Sequence, residues 1–365
     1  MRIDKSKWGK ALCKDCVKNI KTQEAVQKKD YSSSGCFPII SQEKEYISGF
    51  SNSSSSLNVG LGDVVIFGDH TRVLKYIDFD FCIGADGVKI LKPIQTIKTK
   101  FLYYYLRWYD IPNNGYARHY KFLKEVEIKI PSISEQQAIA SELDAVQEMI
   151  DGYKLQLEDL ETLAQSIFLD TFGDPITNPK GWEKKELREL GIISPGGTPL
   201  RSNPLYYKGD IDWYSAGELN HLYLNGSNEK ITKEAIKESS AKLFKANSLF
   251  IGLYDTAAFK LGITLKEASA NQACANLFPI KDNVIWIYYC LLNMKEYAWN
   301  FRKGIRQKNL SVGFIKSFSV PLPPLPLQQQ FANQVEAIEK QKDLLREQLK
   351  DAETLMAERM QYYFS

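Results

Sequence analysis

The chain has little histidine, a thin scatter of cysteine and no long apolar run, and each absence removes a class of protein. Its three histidines, His70, His119 and His221, fall at no metal-ligand spacing. No apolar stretch reaches the roughly 18 residues of a membrane-spanning helix. The start, MRIDKSKWGK, has charge but no apolar core, so a signal peptide is not expected. Six cysteines in 365 residues form no disulfide framework and fit a reducing cytoplasm. Cys13-Lys14-Asp15-Cys16 is a lone CxxC, which Cys36, Cys82 or His70 could complete as a zinc site. It aligns, however, with Leu187–Gly191, which has no cysteine, so a short structured turn is the plainer expectation.

Catalytic signatures are missing as well. No Gly-x-x-x-x-Gly-Lys-Ser/Thr stretch exists to cradle the phosphates of ATP. Nor is there an Asn/Asp-Pro-Pro-Tyr/Phe motif: Pro321–Pro326 (PLPPLP) lacks the polar residue and the aromatic that would hold a flipped base. Glu127-Ile128-Lys129 and Glu183-Lys184-Lys185 have the ExK form of metal-dependent nucleases. Such tripeptides arise by chance in a chain with 25% charged residues.

What the chain does have is a helical pattern from Ser134 to about Phe172. Apolar residues recur at Ile139, Leu143, Val146, Ile150, Tyr153, Leu157, Leu160, Ala164 and Ile167, in alternating steps of four and three. That is the seam of a coiled coil over four heptads, and a helix roughly 55 Å long. A shift of 192 positions supplies its partner: Ile130–Asp144 falls on Leu322–Glu336, and Phe172 on Phe364. The seam recurs as Phe331, Val335, Ile338, Leu345, Leu349, Ala352 and Met356. Lys342 and Arg359 interrupt it, which suggests faces used for something besides the helix pair. Ser134 is the expected cap of the first helix, and Pro326 stands in its place in the second. The chain is therefore a duplicated unit, each copy a globular region followed by a long helix.

The globular regions share a skeleton and differ in their loops. The first shows strand-like runs at Phe37–Ile40, Asp63–Phe67 and Val88–Leu91 and a compact aromatic helix at Phe101–Tyr109. The second shows runs at Ile211–Tyr214, Leu249–Leu253 and Ala275–Ile280 and a helix at Val284–Met294. Gly173–Gly181 reads as a linker. Trp8 and Trp182 follow the helix ends at similar spacing if the termini are joined, so the repeat is close to cyclic, with a pseudo-twofold axis and the termini together.

Charge is segregated. Ser134–Phe172 and Gln328–Phe364 together hold 6 basic and 16 acidic residues, which leaves 41 basic against 28 acidic elsewhere, a net of +13. Basic globular regions fit a polyanion, although ordinary solvated faces would explain the charge alone about as well. Before the first helix lies Asn113–Lys124 (NNGYARHYKFLK), with Tyr116, Arg118, His119 and Lys121. The same place before the second holds Phe301–Ser311 (FRKGIRQKNLS), with Arg302, Lys303, Arg306, Gln307, Lys308 and Asn309. Arg and Lys neutralise phosphates, and Arg, Gln and Asn make bidentate contacts to base edges. The loops after two buried strands, with Asp69, His70 and Arg72 in one copy and Tyr254 in the other, are second candidates for DNA contact. A plain hairpin turn is their bland alternative.

The segments IPSISEQQAIA and LPPLPLQQQFA, with GIRQKNLSVGFIKSFSVPLPPL, resemble the specificity subunit of type I restriction–modification systems. The resemblance covers nearly the whole chain and implies an α+β protein. Two mixed α/β target recognition domains, 1–130 and 182–321, would be held apart by two long antiparallel helices, 131–172 and 322–365, with 173–181 as linker. It implies a non-catalytic chain that binds no cofactor itself. Each domain would bind half of a split double-stranded DNA target, and the helices would set the gap. Two modification subunits with S-adenosylmethionine would methylate adenine. Restriction subunits, two where present, would use ATP and Mg2+ to cleave. An autonomous nuclease or methyltransferase lacks a motif to support it. A coiled-coil scaffold with no DNA role leaves the +13 unexplained.

Overall fold

The computed structural model describes residues 4–18, 20, 22–84, 87–112, 115, 117–304 and 308–365. It forms two compact units, one from Met1–Leu155 with Arg346–Ser365, the other from Gln156–Leu345. The expected helical domains are thus not units of their own, because each long helix gives one end to each unit.

The two units repeat one plan. In the first, Gly9–Leu12 pairs antiparallel with Glu127–Ile130; in the second, Glu183–Glu186 pairs with Ser319–Leu322. Each pair joins the opening strand of a unit to the strand that runs into a long helix. The first unit has a four-stranded sheet in the order Val17–Lys18, Val88–Pro93, Val64–Gly68, Leu74–Ile77. Its counterpart runs Gly191–Pro195, Cys274–Pro279, Leu249–Gly252, Leu261–Thr264, with Tyr223–Leu224 added parallel at the edge. The central strands Val64–Gly68 and Leu249–Gly252 are buried throughout, which is why they read as unbroken apolar runs. A second sheet completes each unit, four-stranded in the first and three-stranded in the second.

The long helices are Ile133–Phe172 and Leu325–Phe364, 40 residues each. In the first unit Ile139, Leu143, Val146 and Ile150 share one core with Ala352, Met356, Met360 and Phe364. In the second, Ala164, Phe168 and Phe172 share one with Phe331, Ala332, Val335 and Ile338. The start of one helix therefore packs on the end of the other, an antiparallel pair. Tyr153, Leu157 and Leu160 are only half-buried. Toward the end the burial passes from Ile167 to Phe168, because a straight helix drifts about 20° per heptad from a 3.5-residue seam.

The polar interruptions of the seam are satisfied inside the chain, contrary to the expectation of an outside use. Lys342 is buried and bonds Glu339 at 2.7 Å, while Arg359 reaches Glu142 on the other helix at 3.2 Å. The helix start also differs from expectation. Ser132, not Ser134, is the cap: Glu135 donates its N–H to Ser132 Oγ and accepts from the Ser132 N–H and O–H through Oε2. That is a reciprocal capping box.

The helix ends carry the cyclic repeat into atomic detail. Lys180 donates to the carbonyls of Asp170 and Thr171, and Lys5 donates to those of Tyr362 and Ser365. Asp170 and Tyr362 are one repeat apart, so the same orphan carbonyl is answered by a lysine just ahead of Trp182 or Trp8. Within the first unit the N-terminal turn and the last residues of the chain therefore touch.

Candidate nucleic-acid interface

Two buried glutamines fix where each long helix begins. Gln136 donates from Nε2 to the carbonyls of Thr96 and Pro131, and its Oε1 accepts from the Lys98 N–H at 2.8 Å. Gln328 donates to Asp282 Oδ1 and the Pro323 carbonyl, and accepts from the Asn283 N–H at 2.9 Å. Each ties the helix start to the entry of an aromatic helix, Thr99–Trp108 or Val284–Asn293. The short segment just before the helix is thereby held in register with the sheet.

On that frame, the two loops named separately from the sequence come together in each unit. In the first unit the Gly68–Val73 hairpin turn meets the loop before the helix. The His119 N–H donates to the Asp69 carbonyl at 2.8 Å, and the Tyr120 N–H to Asp69 Oδ1 at 2.7 Å. In the second unit the Leu310 N–H donates to the Leu253 carbonyl at 2.7 Å. The Asp255 N–H donates to the Lys308 carbonyl at 2.9 Å and to Asn309 Oδ1 at 3.1 Å. Lys303 and Asn309 exchange backbone bonds of 2.9 and 2.8 Å, which close the neck of that loop.

The named side chains divide into braces and exposed groups. His119 and Asp69 are buried, with His119 Nδ1 3.0 Å from the Asp69 carbonyl, so they hold the loop pair together and do not face solvent. His70 is half-buried, its N–H on Gln42 Oε1. Arg72, at φ 62°, sends its guanidinium to the Ile111 carbonyl at 2.7 Å. Arg302 lies 4.3 Å over the Trp299 ring and donates to the Trp299 and Asp255 carbonyls. Tyr254 is half-buried and bridges to Asn309. Arg118, Lys121, Lys303 and Lys308 are exposed. Tyr116, Arg306 and Gln307 lie outside the described residues.

The other sequence candidates are absorbed by the fold. Glu127 pairs with Lys10 at 2.8 Å and Glu183 with Lys185 at 2.5 Å, both within the strand pairs that open each unit. Cys13–Cys16 forms one helical turn, as Leu187–Leu190 does in the second unit. Burial raises the Cys13 thiol to about 12 and the Cys16 thiol to about 11, the latter with help from Asp15, so both stay protonated. Among the described residues no group of three metal-ligating side chains gathers, and no helix is long and apolar enough to cross a membrane.

The family model for the type I restriction modification DNA specificity domain matches twice, over residues 6–162 and 179–354. The chain belongs to that family. The specificity subunit of EcoR124I/EcoR124II from Escherichia coli is 24% identical, the match covering 94% of this chain and 89% of that one. The MjaIX specificity subunit of Methanocaldococcus jannaschii is 28% identical over 70% of this chain and 64% of its own length. The fold is that of the type I restriction–modification S subunit from M. genitalium, at TM-score 0.62 and 16% identity over 97% and 95% of the two chains. A chain from a study of complex assembly in the type I system superposes at TM-score 0.54 and 16% identity, over 98% of this chain and 97% of that one. Specificity subunits are the non-catalytic DNA-recognition components of type I systems. What the sequence missed was the role of Gln136 and Gln328. Their identity across the repeat was visible, but their partners lie about 40 residues away and have no pattern of their own.

Proposed function

We propose that each unit reads one half of a bipartite double-stranded DNA target through its joined loop pair, and that the two long helices set the gap between halves. The observation that carries this is the recurrence of the loop pair, in the same place of the same frame, with unlike side chains. A shared scaffold with different loops reads different sequences. The net of +13 outside the helices supplies attraction to phosphates.

On this reading the chain bridges two modification subunits, which hold S-adenosylmethionine and methylate adenine at N6, and restriction subunits add ATP- and Mg2+-dependent cleavage. The complex acts in the cytoplasm, and this chain holds no cofactor of its own. The purified chain alone should transfer no methyl group to DNA, while addition of its modification subunit should give methylation at one split sequence. Methyl transfer by the chain alone would refute this division of labour.

A further inference from the structure

Beside the loop pair of the first unit opens a cleft of about 480 Å3, lined by Lys14, Lys18, Lys89 and Lys124 around Tyr120. Lys89 and Lys124 each hold their ammonium 5.7 Å from the Tyr120 ring centre. Among the described residues only Lys14 has a carboxylate partner, Glu125 at 3.2 Å. Four ammonium groups around one cleft repel one another and oppose folding, so their presence asks for a reason.

The fold does not supply that reason. The second unit repeats the strands and the short helix, and its pairing registers place Ile192 and Ala275 where the first has Lys18 and Lys89. The repeat places Val312 at the position of Tyr120. Arg188, in the place of Lys14, is paired with Glu186 at 2.5 Å. Only Lys316, matching Lys124, keeps an unpaired charge among the described residues. The cluster belongs to one copy of a common frame.

We propose that this cleft seats a phosphate of the DNA backbone, as a sequence-independent clamp peculiar to the first unit. The inference rests on the DNA-reading function proposed above. Lys18, Lys89 and Lys124 donate to the phosphate oxygens, and the Tyr120 ring holds two of them in place. Because the Tyr120 N–H is bonded to Asp69, the clamp is rigidly tied to the loop pair and would fix its register on the duplex.

The test compares the wild-type chain with K18Q/K89Q/K124Q, each assembled with its modification subunits, on duplexes with and without the target across a range of salt. The plot of log affinity against log salt should become shallower by about 1, and affinity near 0.1 M salt should fall about tenfold. The loss should be equal on both duplexes, with the methylated sequence unchanged and Tm unchanged or raised as the repulsion is relieved, and K18R/K89R/K124R should restore the slope. An unaltered slope, or a loss confined to the target duplex, would overturn the clamp. So would saturable binding of inorganic phosphate that K18Q/K89Q/K124Q abolishes while leaving the DNA slope intact, since the cleft would then serve a free anion. A wild-type complex that bound no DNA would overturn the proposed function itself, and the clamp with it.

Discussion

Gln136 and Gln328 sit one repeat apart, are fully buried, and share two hydrogen bonds in their separate units, one from a backbone N–H and one to a proline carbonyl; the third goes to the Thr96 carbonyl from Gln136 and to the Asp282 carboxylate from Gln328. Truncating either removes the partner of a backbone N–H and of at least one carbonyl at a buried position, at about 1–3 kcal/mol for each group left unpaired. Gln136→Ala and Gln328→Ala should therefore each lower the urea midpoint with an unchanged slope, a loss of about 2–6 kcal/mol; a loss under about 0.5 kcal/mol would show that water replaces the amide. The loops separate neighbours that look alike in sequence. Arg118→Ala should weaken DNA binding by about 1–3 kcal/mol if the guanidinium is bidentate to a base, with stability unchanged. His119→Ala should act the other way, lowering Tm first, because the ring is buried against Asp69. Sequence placed both residues in one basic loop. It could not tell brace from exposed group, since burial depends on the Gly68–Val73 turn some fifty positions earlier.

At the scale of elements, periodicity located the long helices and the buried strands, because both signals are local. Phe37–Ile40 and Ile211–Tyr214 are strands over the residues expected. The middle of the coil was less legible: a heptad run shows which residues could be buried, not whether a partner covers Leu157 or Leu160. The cap was misplaced by two residues because Ser132 and Ser134 both precede acidic or apolar helix formers, and only the reciprocal bonds choose Ser132. Those bonds hold the Glu135 carboxyl below its ordinary value. A carboxylate so depressed stabilises the fold above its unfolded pKa, and that contribution is lost as pH falls through the folded one. Ser132→Ala should then cost about 1 kcal/mol at neutral pH, and the difference from wild type should shrink in acid denaturation series once Glu135 is protonated. In the second unit, Glu339→Leu leaves Lys342 buried without its carboxylate and should cost about 3 kcal/mol, whereas Glu339→Leu with Lys342→Leu should cost clearly less. Equal costs for the single and double variants would contradict the pairing. If the helices are the ruler, inserting one turn, about 5.4 Å, should widen the recognised gap by one or two base pairs at roughly 3.4 Å each.

For the whole molecule, the decisive signal was the duplication. It supplied the coil's partner, the cyclic order and the matching loops, all from identities kept in register over 192 positions. It did not show that the compact units cut across the helices, because a repeat boundary marks descent and a compact unit marks packing. The central claim is that the two units read independently. Methylome sequencing of cells expressing this chain with its modification subunit, before and after residues 182–321 are exchanged for those of a relative, tests it most directly. The account predicts a split methylated sequence in which one half changes and the other half and the gap stay the same. Change in both halves would contradict it.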